Sequence, residues 1–300
     1  MCDIQHVQDV MDGWLTAELW STLAVRSHPP KRARPDRTRR KFGLKVGDYR
    51  MQISHYHALL IGYAVALIGW LLADRVFPTL WPRREPASFN RPWFEVLWSI
   101  ISVIGVLLVG QLYTRGWLLP DLGSFETLIE VCNQILIFSP ILILLAIRRH
   151  PLSSAWLPMD KMWARLAIGL TLALIAILAF TIAHTGSDSW LMVVPRVYHP
   201  KNLGLLVQVL LEDITIAVLF VRFRAVLGLR ATIALVAVLF AAGHIPTLLT
   251  RGATISELSS LILDAGLGIA ILSVVQRSAD IWWFWCVHFA MDMMQFYVVT

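Results

Sequence analysis

Apolar residues along this chain come in long runs, broken only by short polar punctuation, and not in the alternating or heptad patterns of soluble elements. A helix needs roughly 20 apolar residues to cross the hydrocarbon core of a bilayer. Measured against that length, the runs predict eight spanning helices, over residues 55–74, 94–114, 125–147, 165–185, 203–222, 231–249, 257–275 and 281–299. Turn formers and charges separate them, as in "PTLWPRREPASFNRP", "DLGS", "RRHPLSSAWLPMDK" and "VYHPKN". Lipid leaves only helices or closed barrels able to satisfy the backbone. The fold class expected is therefore all-α, a polytopic membrane helical bundle over residues 51–300. The sequence contains no internal repeat. Tryptophans near the predicted span ends (Trp81, Trp93, Trp117, Trp163, Trp190, Trp282, Trp283) read as interfacial anchors.

Composition sharpens this picture. Hydrophobic residues make up 57% of the 300 and charged residues only 15%, against about 45–50% and about 25% in soluble domains. The net charge of +6 is uneven, since ten of the 26 Lys and Arg precede residue 51. Residues 1–50 read as a solvated, disordered juxtamembrane tail, with at most an amphipathic helix near 8–24. The expected partner is the lipid bilayer, and no nucleic-acid partner is expected. The amino terminus lacks the charged-then-apolar order of a cleaved signal peptide. Cys2, Cys132 and Cys286 form no metal or CxxC spacing and read as packing residues.

Orientation is contradictory at this level. With eight spans both termini share a side, and the basic tail places them in the cytoplasm. Yet the loops on the opposite side hold twelve Lys and Arg, and the loops on the terminus side hold four. Met51 opens "MQISHYHALLIGYAV" just before the first span, which suggests that residues 1–50 are an extension foreign to the mature chain.

Ionisable groups inside spans are costly and by default mark function. Glu212 and Asp213 adjoin in "LLVQVLLEDITIAVLFVRF", His244 sits in "FAAGHIPTLL", and His288 and Asp292 lie one helical turn apart in "WCVHFAMDMM". At about 1.5 Å per residue from the loop side these helices share, Glu212 lies about 15 Å deep, His244 about 20 Å, His288 about 10 Å and Asp292 about 16 Å. All are expected to meet near the midplane. A carboxylate in a dry site serves as general base to a water. Imidazoles hold that water, bind a metal, or donate to a developing oxyanion. Gly243 is expected to admit a close backbone approach and Pro246 to loosen the helix after His244. Glu130 with Asn133 and Gln134, and Asp264, read as structural contacts. His184 and His199 read as solvated, and the glycines of "GLGIA" as close helix packing.

The Glu-Asp pair, the F-x-x-x-H of Phe240 and His244, and the H-x-x-x-D of His288 and Asp292 together resemble the CPBP intramembrane proteases. That family includes CAAX-prenyl endopeptidases and bacteriocin-processing or self-immunity proteins. The resemblance covers about residues 203–295 and implies a peptidase of a bacterial inner membrane. Its substrate would be a membrane-embedded or prenylated peptide or protein. It further implies that Glu212 activates water, Asp213 is the second acid, His244 holds the same water, and His288 with Asp292 completes the site. A divalent metal such as zinc, held by Glu212, His244 and His288, is the alternative way of activating that water. The first motif departs from the family pattern, with Asp at the second acid and Ala217 where Arg is expected. The competing readings are a catalytically silent relative acting as an immunity or scaffold protein and, lower in rank, a proton-coupled transporter.

Overall fold

The computed structural model describes residues 46–82, 87–120, 125–185, 190–250 and 252–297. The helix expected near 8–24 lies outside them. The helices are α1 (Val46–Val76), α2 (Pro92–Thr114), α3 (Glu126–Ile137), α4 (Ser139–Arg148), α5 (Met162–Thr185), α6 (Trp190–Val197), α7 (Leu203–Leu227), α8 (Leu229–Gly243), α9 (Ile245–Thr250), α10 (Ile255–Ser278) and α11 (Ile281–Tyr297). Two 3-10 turns, Leu152–Ala155 and Pro200–Asn202, join them, and the described residues contain no strand. Among the described residues, five helical stretches are long and apolar enough to cross a membrane: His55–Val76, Pro92–Thr114, Met162–Thr185, Pro200–Leu227 and Leu258–Ser278. The protein is an all-α polytopic membrane bundle. Among the described residues the first helix begins at Val46.

Two of the eight predicted spans are not single straight helices. The third bends by 55° between α3 and α4. Pro140 has no N–H to give the Leu136 carbonyl, and its ring crowds that carbonyl, so the helix breaks and restarts. The sixth ends as α8 at Gly243, and His244 is the turn before the short α9. Pro246 removes the bond that would have reached Ala242, which is the loosening that the sequence predicts. The His244 N–H bonds the Ala241 carbonyl, three residues back instead of four, while its own carbonyl accepts from Leu248 N.

Packing is closest where small residues let helices approach. A Cβ built on Gly169 of α5 would lie 2.6 Å from Cα of Trp283 on α11, so only glycine fits there. Trp70 of α1 stacks on Trp283 with centroids 5.2 Å apart and meets Trp81 edge-on at 5.8 Å. Trp81 and Trp283 are thus core residues and not interfacial anchors. Trp93, Trp117 and Trp163 stay exposed on the outside. Gly243 has no neighbour within 4 Å of a would-be Cβ, so the expected close approach does not occur there. In "GLGIA" Gly266 is equally open, and Gly268 packs against Ala237.

Charges at one end of the bundle are tied inside the protein. Arg165 bonds Asp280 and Asp160, each at 2.9 Å, and Trp81 Nε1 donates to Asp280 at 2.7 Å. Glu95 of α2, also buried, is met by Arg148, by His150 at 3.2 Å and by Arg222 Nε at 3.5 Å. The lesser polar groups are structural contacts. Tyr113 and Gln134 donate to Glu130, Asn133 bonds the backbone of Leu119, and Tyr56 donates to Asp264. His184 is not simply solvated: its ring meets His55 and Phe180. His199 is exposed and its ring accepts from Lys201 N, capping a 3-10 turn.

Candidate active site

The site rests on α7 and α11, with α1 and α8 beside them. Residues 212 and 213 adjoin on α7, so their side chains leave the helix about 100° apart. Asp213 turns into the bundle and is 2% exposed, whereas Glu212 keeps some exposed surface. On α11 the spacing of four puts His288 and Asp292 on one face, toward α7.

The imidazole of His288 stands between two carboxylates. Nδ1 lies 2.9 Å from Asp213 Oδ1, a hydrogen bond that an ionised carboxylate accepts from the ring N–H. Nε2 lies 3.6 Å from Asp292 Oδ2, an electrostatic contact too long for a hydrogen bond. Phe284 stacks on the ring at 5.4 Å and fixes its plane. Asp292 is further held by Gln295 Nε2 at 3.5 Å. Asp213 Oδ2 is buried and has no hydrogen-bond partner. Leaving a buried carboxylate oxygen unpaired costs about 1–3 kcal/mol or more, which a water molecule would recover.

A cavity adjoins this array. Its volume is about 60 Å³, and its walls include Asp213, His288, Phe240, Phe284, Gly268 and Trp156. One water needs roughly 10–15 Å³ on this measure, so there is room for several. Asp213 and His288 are the ionisable groups among the walls.

The other two predicted residues stand beside this pair. Glu212 Oε1 accepts from Gln208 Nε2 at 2.8 Å, and the carboxylate interacts electrostatically with His288, Asp292 and Asp213. His244, at the break after α8, meets Phe240 edge-on at 5.1 Å and lies within electrostatic reach of His288. Asp213, His288 and Asp292 are therefore in direct contact, with Glu212 and His244 adjacent to them. The metal alternative fits poorly. His288 already faces a carboxylate from each ring nitrogen, and among the described residues no three His, Cys, Asp or Glu gather as a metal would require.

Two participants escaped the sequence reading. Tyr63 of α1 is buried and within electrostatic reach of both Asp292 and Asp213. Its signal was a lone phenol in mid-span, which needs a polar partner. Gln208 was legible as an amide one turn before Glu212 in the apolar run "LLVQVLLED". Arg222 does not stand in for the arginine that the resemblance would put at position 217, because it pairs with Glu95. No known protein family, characterised protein or solved structure matches this chain.

Proposed function

We propose that this protein is an intramembrane hydrolase of the CPBP type that cleaves a peptide bond in a membrane-embedded or lipid-modified substrate. The observation that carries the reading is the buried, unpartnered oxygen of Asp213, a residue that lines a cavity with room for several waters, with His288 held against the other oxygen. A water in the cavity donates to Asp213 Oδ2. As the water oxygen bonds to the scissile carbonyl carbon, its proton passes to the carboxylate and the carbonyl electron pair moves onto oxygen. With both ring nitrogens of His288 facing carboxylates, the imidazole of His244 is the donor available to that oxyanion. The C–N bond then breaks, and the proton passes from the carboxyl to the leaving amine. Asp213 and Asp292 orient His288, as a carboxylate orients a catalytic imidazole elsewhere. Glu212 and His244 keep exposed surface, so they are the members open to an arriving peptide.

This geometry favours Asp213 as the base over Glu212, the residue the resemblance implies. The test is cleavage of a prenylated peptide and of a transmembrane peptide by the purified full chain in nanodiscs, with products identified by mass spectrometry. Asp213→Asn and Glu212→Gln are run beside the parent. Loss in either variant, with unfolding temperature retained, supports the hydrolase. Equal product in parent and both variants removes it and leaves a silent scaffold protein.

A further inference from the structure

The end of the bundle where α1, α4, α7 and α10 finish holds a second pocket, of about 320 Å³, separate from the carboxylate array. It is the size of a small-molecule site. Its polar walls include His150, Ser153 and Ser154 from the turn after α4, Arg224 from α7, and Gln276 and Arg277 from α10. Arg224 reaches across to Gln276 Oε1 at 3.4 Å, a weak bond that leaves most of the guanidinium free to donate. Behind this wall lie Arg222 and Arg148. Glu95 is the carboxylate shared by those two, while Asp160 and Asp280 are occupied by Arg165. The C-terminal carbonyls of α7 and α10 offset part of the cationic charge, but only within their last turn.

Ser154 gives the second, independent sign of a ligand. It is 3% exposed, and its hydroxyl has no hydrogen-bond partner although it belongs to a polar pocket. Buried hydroxyls are almost always paired, so an acceptor or donor is owed at this point. Guanidinium forks with a hydroxyl at their base suit a tetrahedral phosphate, which accepts two hydrogen bonds from one Arg. The pocket also lies where the long apolar helices end, and basic clefts at the ends of membrane helices hold anionic lipids.

We propose that this pocket binds the phosphate of an anionic phospholipid headgroup, with Arg224 and Arg277 as the charged donors and Ser154 as the buried one. Trp156 lines both this pocket and the cavity below Asp213 and His288. The bound phosphate would therefore sit across that one indole from the candidate active site.

Native mass spectrometry of the full chain in detergent, titrated with dioctanoyl phosphatidylglycerol, dioctanoyl phosphatidylcholine or inorganic phosphate, tests this. Saturable binding of phosphatidylglycerol in preference to phosphatidylcholine is expected. Arg277→Gln, at an exposed position, and the double variant Arg224→Gln with Arg277→Gln should weaken it by about tenfold or more. Ser154→Ala should weaken it severalfold, and Arg91→Gln, exposed at the same end but outside the pocket, should leave it unchanged. Binding that is equal for both lipids, or equal in parent and pocket variants, overturns the proposal. Saturable binding of inorganic phosphate that displaces phosphatidylglycerol would assign the site to a free anion and overturn the lipid.

Discussion

At the residue scale, the decisive contrast is between neighbours. Glu212 and Asp213 differ by one methylene and one position, yet only Asp213 meets an imidazole and lines the cavity. Under the proposed hydrolysis, Asp213→Asn keeps the shape but removes the proton acceptor, so turnover is expected to fall by about 10²–10⁴-fold. Steady-state cleavage rates at matched unfolding temperature check this. Ala217 is fully buried on the same helix, and Asp213 already has His288 as its partner. Ala217→Arg is therefore expected to lower stability by overpacking, at about 1–3 kcal/mol or more, and not to restore a missing counter-ion. Thermal unfolding in detergent reads that outcome directly. A gain in turnover at unchanged stability would contradict it.

At the element scale, two glycines in apolar helices have opposite roles. A Cβ on Gly169 meets the Trp283 backbone at 2.6–2.7 Å, and backbone yields far less than a flexible side chain. Gly169→Ala should push α5 off α11 and destabilise by roughly 1–3 kcal/mol. It should also reduce activity, because α11 carries His288 and Asp292. Gly243→Ala meets nothing within 4 Å and should be neutral or slightly stabilising, by up to about 1 kcal/mol. Parallel thermal melts of the two variants separate the cases. The broken sixth span belongs to this scale too. A helix continuing through residue 244 would give His244 ladder geometry, whereas Pro246 ends α8 and leaves the imidazole on a turn.

At the scale of the whole molecule, buried ion pairs decide how the charge pattern should be read. Arg148, Arg165 and Arg222 were among the twelve basic residues assigned to loops at one end. They are instead consumed by Glu95, Asp160 and Asp280. Removing these three from twelve leaves nine, against four at the other end. The remaining excess predicts that the end bearing His150 and Arg277 faces the cytoplasm. Ser153→Cys, at an exposed position, should then react with an impermeant maleimide only after the membrane is opened. The same pairs hold the bundle together. Glu95→Ala strands Arg222, which is 0% exposed, and is expected to cost about 3–5 kcal/mol, seen as a lower unfolding temperature.

The all-α membrane class was legible in the chain because lipid imposes a one-dimensional rule that enough consecutive apolar residues make a helix. The number of spans was not, since five helices, or six with the bent pair, are long and apolar enough among the described residues, against eight expected. The candidate site was legible for a related reason. An ionisable group in such a run is costly, so Glu212, Asp213, His244, His288 and Asp292 stand out against their neighbours without any knowledge of packing. Which of them touch was not legible. Depth along a helix is additive from its end, but azimuth depends on the neighbours each helix finds, and only the assembled bundle turns Asp213 rather than Glu212 toward His288. Tyr63 joined the site from a span some 150 residues upstream of the acids. The tryptophans show the same limit, since Trp81 and Trp93 have equal propensity for an interface. Tertiary contacts with Trp70 and Asp280 bury the first, whereas the second stays exposed among the described residues.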